Sequence, residues 1–152
     1  MTNVVRTAEV VWTGTIARGT GTASGGSGAL RDLPITLASR FGDSDGKTSP
    51  EELIAAAHAG CFTMALGSGL AGRGTPPESL DVSASVTLEV SGAPKIASSE
   101  LDVHGVVPGV DGAAFDEAAR EAGEHCLVSQ ALHGNVEIRV HATLDERHSS
   151  VA

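Results

Sequence analysis

Positive charge is in short supply along this chain. Ten Lys and Arg stand against 19 Asp and Glu, a net charge of −9, and the basic residues nowhere gather into a stripe. A phosphate backbone or an anionic membrane surface needs such a footprint, so both are poor partners. Apolar runs of the ~18 residues that a membrane span requires are lacking outside one charge-capped helix. The opening MTNVVRTAEVVW carries an Arg and an acid where a signal peptide needs an apolar core, so a cytosolic protein is expected. The glycine-rich stretch from Gly19 to Gly28 lacks GxGxxG spacing and a following helix, which leaves turns rather than a phosphate loop. Cysteine is scarcer still. Only Cys61 and Cys126 are present, too few for a zinc site on their own, and His58 three residues before Cys61 with His125 beside Cys126 is not a standard ligand pattern. In a reducing compartment such a pair is more often redox-active or merely buried than structural.

What is present centres on Ser49 to Leu70. Ser49 reads as an N-cap, Pro50 as the first helical residue, and Glu52 as the partner that reaches back to the cap, a capping box. Beyond it Leu53, Ile54, the alanines, Phe62, Met64 and Leu66 leave almost no polar face, the pattern of an enclosed helix. Cys61 falls in its middle. The helix should fray or stop in the glycines from Gly67 to Gly74, before Pro76 and Pro77.

The rest of the 152 residues suits one domain, residues 1–144, with a polar tail over 145–152 that we expect to be disordered. Strands are expected over 4–13, 15–23 and 30–37, the last at an edge because of Pro34. Between them and the helix lies a polar loop carrying Arg40 and Phe41, close enough in sequence for Arg40 to fold back as a partner for a thiolate. Residues 81–90 alternate strictly, 96–107 form an antiparallel neighbour, 113–132 are helical with a split at Gly123 in view, and 136–144 alternate again. The order βββαββαβ is α+β, with antiparallel sheets around a buried central helix. One sheet covers one face of an all-apolar helix, so a second copy of the chain is expected to cover the rest in an obligate homodimer.

The residues SPEELIAAAHAGCF (49–62) and CLVSQ (126–130), together with the order of elements over nearly the whole chain, resemble the OsmC/Ohr family of thiol-dependent organic hydroperoxide reductases. Arg40-Phe41 and His58 are similar to the OsmC branch. The resemblance implies an intertwined homodimer, a peroxidatic thiol at Cys61, a resolving thiol at Cys126, and an Arg and a Glu that hold the thiolate ready. The Glu is Glu51. For the Arg, Arg40 is our choice and Arg18 the runner-up, and the sequence leaves the two open. It also implies no bound cofactor, an organic hydroperoxide as substrate, and an external dithiol such as a dihydrolipoyl group as reductant. One residue departs from the pattern: where the family often has Pro after the second cysteine, this chain has Leu127.

Chemistry explains these residue types. Only a thiolate attacks a peroxide oxygen, so an ordinary thiol must be pulled toward its anion, and burial pushes the other way. Cys61 lies too far along its own helix for that helix's N-terminus to help. A cation at contact distance is therefore expected, and a guanidinium also offers N–H groups to the leaving oxygen. Glu51 would orient it as a carboxylate fork, with Glu52 occupied by the cap. Ten residues from Glu51 to Cys61 make about 15 Å of straight helix, so a broken helix, a bridging Arg or a Glu51 from the partner subunit is needed; we favour the last. Phe41, Phe62, Leu127 and Val128 would line an apolar entrance, with Met64 assigned to core. Two rival readings are a binding or structural dimer with inert buried thiols, and a zinc site built from the cysteines and nearby His.

Overall fold

The computed structural model describes residues 2–145, and the chain folds as two compact units, Met1–Leu53 and Ile54–Ala152. The expected tail over 146–152 lies outside the described residues.

The first unit is a small antiparallel sheet in the order β1-β2-β3, from Ala8–Thr13, Thr20–Gly25 and Leu33–Ile35. β2 starts later than the sequence suggested because residues 14–19 are spent on a tight turn, closed by Gly19 N–H on the Thr15 carbonyl at 2.6 Å and by the Trp12 indole N–H on the Gly14 carbonyl at 3.1 Å. Pro34 sits on the outer strand, as its missing N–H requires. The residues after β3 are not a plain loop. They form a short helix, α1 (Leu37–Phe41), because Thr36 and Ser39 cap each other reciprocally: Thr36 Oγ1 accepts from Ser39 N–H at 3.0 Å, and Ser39 Oγ accepts from Thr36 N–H at 3.1 Å. Arg40 thereby stands in the last turn of a helix.

The long helix α2 (Pro50–Gly72) carries the chain from the first unit into the second. Ser49 does cap it, its Oγ accepting from Glu52 N–H at 3.1 Å. The reciprocal half of the box is not made, since the Glu52 carboxylate takes the Thr48 hydroxyl at 2.7 Å instead. The helix ends at Gly72, within the glycine run where a stop is expected, and it is continuous from Pro50 past Cys61, which removes a broken helix as the way to bring Glu51 to Cys61. Enclosure holds for one face only. His58, Phe62, Leu66 and Leu70, spaced by four, are at most 1% exposed, whereas Met64, expected in the core, is 71% exposed and Ala56, Ala57 and Gly60 are exposed with it. By length and hydropathy α2 could cross a membrane, but the spacing of its buried residues is that of a helix packed on a core.

In the second unit β4 (Ser79–Glu89) and β5 (Lys95–Val106) pair antiparallel, and β6 (Glu137–Leu144) lies parallel to β5, giving the order β4-β5-β6. The parallel pair departs from the mostly antiparallel expectation for a topological reason: α3 (Gly112–His125) and α4 (Leu127–Leu132) form a crossover rather than a hairpin. Asp111 caps α3, its Oδ1 accepting from Ala114 N–H at 2.8 Å. Gly123 does not split it. A Cβ there would come within 2.9 Å of Val140 Cγ2, so this glycine allows α3 to pack closely on β6. The helical segment breaks instead at Cys126, whose φ of −55° and ψ of 127° end α3 and begin α4. The core gathers Phe62, Leu66 and Leu70 of α2, Leu101 and Val103 of β5, and Phe115, Ala118, Ala119 and Ala122 of α3.

Candidate active site

Two constellations carry chemistry, one in each unit. In the first, Arg40 and Glu51 form a forked ion pair. Arg40 Nη2 and Nε donate to Glu51 Oε1 at 2.7 and 3.0 Å, and Nε also reaches Oε2 at 3.3 Å. Helix α1 turns Arg40 toward the first turn of α2, where a carboxylate also suits the unpaired N–H groups of the helix end. Glu51 is 7% exposed and the Arg40 side chain 36%. The guanidinium carbon lies 5.7 Å from the centre of the Phe41 ring, which is itself half exposed. Arg18, the runner-up, is exposed in the turn before β2 and makes no ion pair among the described residues.

The second constellation surrounds Cys61, partly buried on α2, with Cys126 almost fully buried beside it; both thiols are free. Burial, the largest single influence, pushes the Cys61 thiol up, but the amide of Val128, the thiol of Cys126 and the amide of Leu127 together outweigh it, and its pKa is displaced below the ordinary thiol value. A cation was the stabiliser expected from sequence, because the N-terminus of α2 is remote from Cys61. The first amides of α4, whose part in the site the sequence did not disclose, act on the thiol as well. Cys126, in the elbow between α3 and α4, is the residue that lets them do so. Leu127, in place of the family's usual proline, keeps the N–H that a proline would lack.

The four proposed lining residues are not alike. Phe62 is 0% exposed inside the core and has no surface to offer an entrance, a correction of its assignment. Leu127 is 72% exposed, Val128 packs partly against the core, and Phe41 belongs to the first unit. A groove of about 1100 Å³ runs along α3, α4 and β6, but its walls carry Asp116, Glu117, Arg120 and Glu124, and neither cysteine lines it.

His58, in the sequence a mark of the family and a weak candidate for a metal ligand, is wholly enclosed, with Nδ1 at 2.6 Å from Ser99 Oγ and Nε2 at 2.8 Å from Ser129 Oγ. Burial holds its imidazole below the ordinary histidine range, which favours the uncharged ring. A serine at an inward strand position was the available signal. Among the described residues no three of His, Cys, Asp and Glu converge as a metal ion would require.

The OsmC-like protein family matches residues 42–141. Over 126 residues the chain is 42% identical to peroxiredoxin OsmC of Escherichia coli (strain K12), a match spanning 82% of this chain and 87% of that protein. Among solved structures, the organic hydroperoxide resistance protein OhrB of Bacillus subtilis superposes with a TM-score of 0.72 at 27% identity, over 90% of this chain and 98% of its own. The organic hydroperoxide resistance protein OsmC of Legionella pneumophila shares the fold with a TM-score of 0.70 at 23% identity, over 93% and 99% of the two chains. The chain belongs to the OsmC-like family. A peroxidase-like role comes with its likeness to peroxiredoxin OsmC and to OhrB.

Proposed function

We propose that the protein reduces organic hydroperoxides to alcohols by thiol chemistry at Cys61. The Cys61 thiolate attacks the outer peroxide oxygen, the O–O bond breaks, and the alkoxide takes a proton to leave as the alcohol, with Cys61 oxidised to a sulfenic acid. The Cys126 thiol then attacks that sulfur, forming a Cys61–Cys126 disulfide and releasing water. An external dithiol, for which a dihydrolipoyl group is our candidate, exchanges with the bridge and restores both thiols. No bound cofactor takes part.

The observation that carries this reading is the thiol of Cys61 set among two amides and the second cysteine, with its pKa below the ordinary thiol value. In the same reading the Arg40–Glu51 pair of one subunit serves Cys61 of the other, in a cytoplasmic homodimer whose interface covers the bare face of α2. Leu127, Val128 and Phe41 would give the entrance an apolar character suited to alkyl chains.

Counting free thiols before and after one equivalent of an organic hydroperoxide tests it. The wild type should lose both thiols and release alcohol, and Cys126→Ser should yield a sulfenic acid at Cys61 that a dimedone probe captures. Intact thiols after exposure would sink the reading in favour of inert buried cysteines.

A further inference from the structure

We propose that His58 is a positioning residue of the thiol site: its imidazole fastens the first turn of α4 to the central strand of the sheet and so holds two amides and Cys126 on Cys61. The inference deepens the thiol chemistry proposed above and rests on it for its functional meaning, though not for its geometry.

Helix α4 is six residues long, far below the length at which a helix holds itself together in water. Where its amides point depends on what anchors it. Leu127 is largely in solvent and gives little anchorage. Ser129, by contrast, is 4% exposed, and its hydroxyl meets His58 Nε2 at 2.8 Å. The other ring nitrogen meets Ser99 Oγ at 2.6 Å. Ser99 lies on β5, the middle strand, paired with Val86 on one side and Ile138 on the other. It shares its face with Leu101 and Val103, where the alternation would otherwise call for an apolar side chain. The bridge therefore runs from a mobile kind of element, a one-and-a-half-turn helix, to the least mobile one in the unit.

Stability alone does not account for this arrangement. Withdrawing three polar side chains from water costs about as much as their hydrogen bonds return, and apolar side chains of similar volume fill such a space at no loss. Hydrogen bonds do what apolar contacts do not: they fix direction. A neutral imidazole has one donor and one acceptor nitrogen, and each serine hydroxyl can complement either, so the bridge is fully satisfied without charge. His58 also precedes Cys61 by three residues on α2, which places the two on neighbouring positions of one helix surface. Fixing α4 against His58 thus fixes it against Cys61. A site of this kind must hold its donors to within roughly 0.5 Å to be effective.

The test compares Ser129→Ala, Ser99→Ala, His58→Phe and His58→Gln with the wild type. Cys61 is alkylated with iodoacetamide across a pH series, the labelled peptide is quantified by mass spectrometry, and peroxide turnover and thermal unfolding are measured alongside. Ser129→Ala should raise the midpoint of Cys61 alkylation by about half to one pH unit, a threefold to tenfold smaller thiolate fraction below it. Ser99→Ala and His58→Phe should shift it the same way, and His58→Gln, which keeps a donor and an acceptor, should recover part of the loss. A changed melting temperature with an unchanged midpoint in all four variants would overturn the inference and leave the bridge purely structural. Should His58→Phe fail to fold, the two serine variants decide alone. Alkylation needs no peroxide, so a shifted midpoint in a protein that consumes no hydroperoxide would sink the proposed function and spare the positioning role. The converse pattern would sink only the positioning role.

Discussion

The two polar constellations solve one problem by opposite means. Arg40 and Glu51 meet as an ion pair where the arginine keeps a third of its side chain exposed; Ser99, His58 and Ser129 meet as neutral groups in the buried interior. A half-exposed ion pair contributes little to stability, on the order of 0–1 kcal/mol. Its value lies in the orientation it imposes on a guanidinium. An enclosed neutral bridge contributes little net energy either, but breaking it orphans a buried polar atom at about 1–3 kcal/mol. The difference teaches that charge sits where solvent still reaches it, and that direction alone is what the interior supplies.

The comparison can be broken most forcefully at Arg40. Arg40→Met should lower peroxide turnover by about 10²- to 10³-fold, the usual cost of removing an electrostatic donor from a reacting centre, with little change in melting temperature. Mixing Arg40→Met with Cys61→Ser subunits should restore activity if each site draws on both chains, because one intact site is rebuilt in the mixed dimer; no recovery would place the site within one chain. A smaller effect is expected from Leu127→Pro. Cys126 already has the backbone angles that a residue before proline requires, the first helical position tolerates proline, and the side chain lost is mostly in solvent. The substitution removes one N–H and little else. The alkylation midpoint of Cys61 should rise by about half a pH unit, with the far-UV spectrum unchanged, and an unmoved midpoint would show that the Leu127 amide does not act on the thiolate.

The smallest effect is on stability against pH. Because burial holds the folded His58 below its ordinary value, the unfolded chain binds the extra proton on acidification. Stability therefore falls as pH drops through the ordinary histidine value of about 6.5. Above that value neither state carries the proton and the effect vanishes. Urea unfolding of wild type and His58→Gln should show the wild type losing more stability toward acid; a gap that stays constant with pH would mean that folding leaves the ring's affinity for a proton unchanged.

Much of the scaffold was legible in the residues. Ser49 and Pro50 marked the start of α2, the alternation of Val82, Ala84, Val86 and Leu88 marked β4, and Asp111 marked α3. These signals are local, and local physics fixes the outcome. The short helix α1 was missed because its Thr36–Ser39 cap replaces the acidic partner of the familiar box with a hydroxyl. Gly123 was suspected of splitting α3 because a glycine that weakens a helix and one that lets a helix press on Val140 look alike in sequence. The site divides along the same line. Cys61, Cys126, Arg40 and Glu51 stood out as residue types, whereas the amides of Leu127 and Val128 are backbone and carry no letter, and the meeting of His58 with Ser99 and Ser129 spans 41 and 71 positions that no spacing rule connects.

The parallel placement of β6 beside β5 has a consequence in time as well as in space. A ribosome delivers Cys61 well before Cys126, and the parallel β5–β6 pair beyond it is a non-local connection of the kind that closes slowly. On the thiol chemistry proposed above, a newborn chain therefore owns the thiol that oxidant attacks before it owns the one that rescues it, and its synthesis is the moment of greatest exposure to its own substrate.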